Sequence, residues 1–345
     1  MKKNILKKIF IKLSKFLGYE IIDQNTFTSP TLEKKLNDDL SIINQKSIVL
    51  PLGEVKITKK VSSILIIFRS NTNIEIWDQN KKRLFELPKI EYTLKSLGSL
   101  LKSINFCKKK YSNIKFKIII VDDKSNKENL DKINNIINKH QLDINIVSLD
   151  HEKYKNVIKK QDNENTFSNL ASLLCCFEIG KQQTDDLVFF IEDDYLHFEP
   201  MLEEMVASYE RIASQLKKDI FMCPADYPYL YMDNEKTSIL IGNKRHWRTI
   251  SRTLCTFMTS KYLLNNYWEN FYNTCLDRND PFEKHINEIY LNEFCISPLK
   301  SLSLHITNVN SSYGLSPFIE SSLTLVLKIT LGIVLIMFTP ILEQF

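Results

Sequence analysis

Four times between residues 61 and 216 a short apolar run gives way to a helical stripe, and this alternation limits the fold more than any other feature. Residues 61–68 (VSSILIIF) read as a buried strand, and Leu94, Leu97, Leu100, Leu101 and Ile104 mark one face of a helix over 92–104. Residues 116–121 (FKIIIV) form the second strand, followed by a helix over 126–140 striped by Leu130, Ile133, Ile136 and Ile137. A third strand over 144–149 precedes a helix over 166–179, which Gly180 closes as a C-cap residue. The fourth strand, 187–191 (LVFFI), leads to a helix over 201–216. Right-handed crossovers turn such a series into a mostly parallel sheet with helices on both faces. Ligands of such sheets bind outside the carboxyl ends of the strands.

Two of the four strands end in a run of acidic residues. Asp122-Asp123 follows the second and Glu192-Asp193-Asp194 follows the fourth, so both groups stand at the ligand edge. If the chain stays extended, Glu192 and Asp194 share one side and Asp193 takes the other. Crowded carboxylates repel, and a cation between them relieves the repulsion. Oxygen donors favour Mg²⁺ or Mn²⁺, which complete their shells with substrate phosphates and stabilise a departing diphosphate. The triplet also suits the first turn of a helix beginning near Pro200.

The segment VDDKSN at 121–126 resembles the Val-Asp-Asp-Gly-Ser motif of family 2 glycosyltransferases. Residues 164–205 resemble that family's stretch from an Asn-bearing helix into its DXD motif, and the likeness covers roughly residues 61–210. It implies a GT-A fold, an α/β architecture with a Rossmann-like nucleotide half (61–215) and an acceptor half (216–320). It implies that Asp122 or Asp123 binds base or ribose, with Arg69, Asn169 and Asp193 on the nucleotide side. It further implies that Glu192 and Asp194 hold Mn²⁺ or Mg²⁺ and the diphosphate of a nucleoside-diphosphate sugar. The implied reaction is metal-dependent sugar transfer to a hydroxyl of a glycan or lipid-linked acceptor, with inversion expected and retention as the alternative. Glu192 stands where the family has Asp, and Lys124 where it has Gly. No Gln-x-x-Arg-Trp pattern appears, so polymer synthesis is not supported. A sugar-nucleotide nucleotidyltransferase is the alternative enzyme, although FRSNTN at 68–73 lacks the Gly that its phosphate loop requires. A non-catalytic glycan- or nucleotide-binding module is the third reading.

The second half is less regular. Strands are expected near 220–223, 238–241, 256–259 and 301–306, and helices over 262–275 and 281–293. His305, beyond the last strand, is similar in position to a histidine that ligates metal in several GT-A enzymes, making it a third metal candidate. NKRHWR at 243–248 gathers His246, Trp247 and Arg248 as diphosphate or acceptor candidates. Asp226, among the tyrosines of CPADYPYLY, is another acceptor candidate. An inverting enzyme needs a general base, for which Asp280 and Glu283 are the candidates. Asp280-Pro281 equally suits a helix N-cap followed by Pro at the first position.

The ends differ from the middle. Six lysines against one glutamate within residues 1–20 account for the whole formal charge of +5, so the rest is neutral and nucleic acid is not an expected partner. Ile5, Leu6, Ile9, Phe10, Leu13, Phe16 and Leu17 fall on one face, giving residues 1–60 a basic amphipathic helix suited to an anionic membrane surface, then a connector. That connector is expected to hold a helix near 31–44 and a strand near 47–57. Residues 321–345 form an apolar tail in which Lys328 and Pro340 interrupt an otherwise continuous run. Both ends suggest a cytoplasmic protein held at the inner face of the cell membrane, peripherally or by a tail anchor. The seven cysteines lack any zinc spacing and read as reduced, buried thiols.

Overall fold

Strand residues buried on two faces need two cores, and the apolar runs supply both. The chain begins its regular part with β1 (Ser63–Ser70), α1 (Lys89–Lys110), β2 (Lys115–Asp122) and α2 (Lys127–Ile137). It continues through β3 (Asp143–Ser148), α3 (His151–Tyr154), α4 (Glu164–Gln183) and β4 (Leu187–Glu192). Period-two alternation sends Ile64, Ile66 and Phe68 of β1 into one core with Ile118 and Ile120 of β2 and Phe189 and Ile191 of β4. Leu65, Ile67, Ile119, Val121, Val188 and Phe190 enter the other core. Leu97, Leu100, Leu101 and Ile104 of α1 seal the first, and Leu170, Leu173, Leu174 and Phe177 of α4 the second. Each such fully buried side chain contributes about 1.5–3 kcal/mol.

The computed structural model describes residues 9–10, 12–19, 56–73, 87–161, 163–231 and 237–306, in two compact units, Met1–Lys56 and Ile57–Phe345. In the first unit residues 9–10 and 12–16 are helical. The helix expected near 31–44, nearly all of the strand expected at 47–57, and the apolar tail lie outside the described residues. Among the described residues no helix is long and apolar enough to cross a membrane.

The second half adds β5 (Tyr195–His197), α5 (Met201–Leu216), β6 (Phe221–Met222), β7 (Ile239–Ile241), β8 (His246–Ile250) and β9 (Phe257–Ser260). It closes with α6 (Lys261–Asn266), α7 (Trp268–Leu276), α8 (Lys284–Ile289), β10 (Cys295–Pro298) and β11 (Ser303–His305). The large sheet has the order β3-β2-β1-β4-β9-β6-β10-β8-β7. Its first four strands are all parallel, as expected for a Rossmann-like half. Beyond them β9 runs antiparallel to β4, and β10 joins β6 in parallel and β8 antiparallel. The chain steps outward from β1 to β3 and then returns to β4 on the other side of β1. The switch point, where such sheets hold ligands, therefore lies between the carboxyl ends of β1 and β4.

Three expectations change. Gly180 is not a C-cap: α4 runs on to Gln183, and Thr184 caps it. Gly180 instead lets the helix approach β4, because a Cβ there would stand 2.8 Å from the Phe190 ring. The helix expected over 262–275 divides at Tyr267 into α6 and α7, and that over 281–293 shortens to α8. Short β5 was not expected, yet it matters most: with β11 it forms a separate two-stranded sheet. Serines of α1 hold this corner, Ser99 Oγ accepting from the His197 backbone and Ser103 Oγ from the Leu202 backbone, each at 3.0 Å.

Candidate active site

Register brings the first two functional side chains together. Arg69 of β1 pairs directly with Glu192 of β4, and both continue the parity of the core that faces α4. Arg69 donates to Glu192 Oε1 at 2.6 Å and reaches the Asn169 side chain of α4. Burial works against the charge of Arg69, but Glu192, Cys255, Cys176 and Asp193 together outweigh it and the pKa rises. Burial likewise raises the pKa of Glu192, reinforced by Asp194 and opposed by Arg69 and His305.

At the end of β2 the two aspartates part company. Asp122 accepts from Ser70 Oγ at 2.9 Å and from the backbone and hydroxyl of Ser125 at 3.0 and 2.6 Å. These bonds brace a turn in which Lys124 has φ 58°, in the left-handed region that favours Gly. Asp122 braces the turn and is not among the residues that line the cavity. Asp123 does line the cavity. Its carboxylate accepts from Asn71 Nδ2 at 3.1 Å and from Ser168 Oγ, and His151 Nε2 lies 2.6 Å from its other oxygen.

The triplet after β4 divides three ways. Asp193 turns toward α1, where Lys89 Nζ stands at 2.5 Å and Thr93 Oγ1 at 2.7 Å, with the Asn71 amide at 3.3 Å. Although burial opposes the charge of Lys89, Asp193 and Asp194 raise its pKa. Asp193 lines the cavity with its acceptor capacity largely taken up. The chain does not stay extended beyond Glu192, since residues 193–194 form a turn. Asp194 instead meets His305, because β11 pairs with β5 and sets His305 opposite Tyr195. His305 Nε2 lies 3.2 Å from Asp194 Oδ2, and the Ile306 amide donates to the Asp194 carbonyl at 2.9 Å. Burial acts to lower the pKa of His305, but the charge and hydrogen bond of Asp194, together with the charge of Glu192, raise it.

These groups wall a cavity of about 780 Å³ at the switch point. Its opposite rim is the segment before α8, contributing Arg278, Asn279, Asp280, Phe282 and Glu283. Burial, and then the nearby charge of Glu192, push Glu283 up to about 7. Cys255 Sγ is 3.7 Å from its Oε1. Asp280 is exposed on the rim.

Among the described residues no group of three or more His, Cys, Asp or Glu side chains is arranged to hold a metal ion. The donor chemistry still suits one at Asp194 and His305, a carboxylate and an imidazole side by side on the cavity wall. Two protein donors suffice for an ion that takes its remaining ligands from phosphate and water. Glu192, the other expected metal ligand, lines the same cavity and pairs with Arg69.

The candidates at 226 and 246–248 fall elsewhere. Trp247 is fully buried over Gly242, in the core that faces α1 and α5. Arg248 and Asp226 form a buried ion pair at 3.1 Å, with Tyr231 donating to Asp226 at 2.7 Å. His246 is exposed on β8, next to the edge strand β7. None of the four lines the cavity. Cationic groups come to it instead from Arg69, Lys89 and Arg278. Lys89 and Arg278 were not anticipated, and neither carries a sequence signal beyond its charge. His151 was also missed, although its place just after the third strand marks the same ligand edge.

No family model and no curated protein sequence matches the chain. Among solved structures, S. aureus TarS 1-349 aligns over 78% of this chain and 64% of its own, at 12% identity and a TM-score of 0.41. The galactosyltransferase LgtC in complex with donor and acceptor sugar analogs aligns over 66% of this chain and 70% of its own, at 9% identity and a TM-score of 0.31. UDP-glucose pyrophosphorylase complexed with UDP-glucose aligns over 69% and 90%, at 10% identity and a TM-score of 0.35. The chain thus spans less than two thirds of the TarS fragment it matches.

Proposed function

We propose that this protein is a metal-dependent, inverting glycosyltransferase. It moves a sugar from a nucleoside diphosphate to a hydroxyl of a glycan or lipid-linked acceptor. One observation carries the reading: a single switch-point cavity gathers strand-end carboxylates, three cationic side chains and a carboxyl group with a pKa near 7. The resemblance of residues 121–126 and 164–205 to family 2 glycosyltransferases supports it from the sequence.

Asp123, held by Asn71, Ser168 and His151, receives hydrogen bonds from the base or ribose. Arg278 sets positive charge beside the diphosphate, while Arg69 and Lys89, paired with Glu192 and Asp193, donate from the same wall. Asp194 and His305 would hold a divalent ion, which would supply Lewis-acid stabilisation to the leaving diphosphate. Glu283 takes the acceptor proton as the hydroxyl oxygen bonds to the anomeric carbon and the bond to the diphosphate breaks.

Glu283 acts only when ionised. With its pKa near 7, kcat/KM rises as pH passes upward through about 7, and Glu283→Gln removes both that limb and most of the turnover. The decisive assay is hydrolysis and transfer with UDP-, GDP-, CMP- and dTDP-sugars in the presence of Mn²⁺. Failure to turn over any of them overturns the proposal.

A further inference from the structure

The first unit carries a feature the catalytic reading does not use. Ile9, Phe10, Leu13, Phe16 and Leu17 are 56–88% exposed, although all five are large and apolar. Their spacing puts them on one face of the helix formed by residues 9–10 and 12–16. Exposed Lys12 and Lys15 flank that face, and Ser14 sits behind it, donating to the Phe10 carbonyl at 2.9 Å. Single exposed apolar residues are ordinary in a soluble protein, but a contiguous apolar face marks a contact surface.

Charge selects the partner. Six lysines and a single glutamate lie within residues 1–20 while the remaining chain is neutral. A second copy would set two strongly positive segments against each other, and their repulsion opposes pairing. An anionic lipid surface accepts both halves of the pattern: side chains enter the acyl boundary, and lysines meet the headgroups.

We infer that this helix docks the protein in the plane of an anionic lipid surface. The contact brings the protein to the surface that carries lipid-linked acceptors, and so rests on the proposed function only for its consequence. Binding itself is measured without any sugar donor, so the two readings fail separately.

The test is co-sedimentation of the full chain with phosphatidylcholine vesicles, with and without phosphatidylglycerol. The chain pellets with the anionic vesicles and at least about tenfold less with the neutral ones. Lys12→Ala and Lys15→Ala each weaken the partition about fivefold, and raising the salt from about 0.1 M to about 0.5 M weakens it further. Phe10→Ser with Phe16→Ser weakens it more than about tenfold, with an unchanged unfolding midpoint that shows the fold intact. Failure of the full chain to pellet with anionic vesicles overturns the inference. Undiminished binding of the double serine variant does so too, since another part of the chain is then responsible. Dimerisation in solution that the same variant abolishes, without lipid binding, would make a second copy the partner and also overturn it.

Discussion

The two acidic strand ends make an instructive pair. After β2, Asp122 is consumed by a turn while its neighbour Asp123 faces the cavity. After β4, Asp193 is matched by Lys89 while Asp194 meets His305. In each cluster the fold takes one carboxylate and leaves another to the site. Asn71 joins the clusters, its side chain donating to Asp123 and its backbone to Asp193. Adjacent carboxylates of identical chemistry thus have opposite duties, and the division follows from which helix or turn each side chain meets.

Mutations can break this division. The largest effect is expected from Asp193→Ala, which strands the buried charge of Lys89 and lowers stability by about 3–5 kcal/mol. Urea unfolding measures it, and a midpoint equal to the parent's would refute the structural role. Asp194→Ala should instead leave unfolding nearly unchanged while cutting donor turnover about 10²–10³-fold. Full turnover in that variant would remove Asp194 from the metal site. At the other strand end, Asp122→Ala leaves the Ser125 amide and two hydroxyls without their acceptor, costing about 2 kcal/mol, with KM for donor little changed. Asp123→Asn should raise that KM about tenfold with kcat nearly constant, as expected when uniform binding is lost. Equal KM shifts in the two variants would erase the distinction between them. The smallest effect is Lys124→Gly, which relieves the left-handed backbone and stabilises the protein by about 0.5–1 kcal/mol in thermal unfolding. Loss of stability there would mean that the ion pair of Lys124 with Glu164 outweighs the strain.

Much of this was readable in advance, unevenly along the chain. In the first half the four strands and their long helices were expected close to where they lie, because fully buried strands and long striped helices give strong periodic signals, although α1 runs six residues past its expected end and short α3 was not expected. The second half was harder. β5 has three residues and β6 two, too short for any period to register. β10 (CISP) ends on Pro, which argues against a central strand, yet it pairs with β6 and β8. Trp247 and Arg248 stood among the ligand candidates because NKRHWR gathers basic side chains around Trp247. Their surroundings on β8 made them core and ion pair instead.

By itself, the sequence determined the strand–helix alternation, the parity of each buried strand, and the placing of acids at the strand ends. These are local properties, set by side-chain period and by burial of neighbouring residues. Tertiary structure alone decided that Arg69 neutralises Glu192, that Lys89 claims Asp193, and that His305 arrives beside Asp194 from 111 residues away. It also decided that Glu283 lies near Glu192 with its pKa raised to about 7. Electrostatic roles depend on distance and burial, and neither quantity exists until the chain has folded.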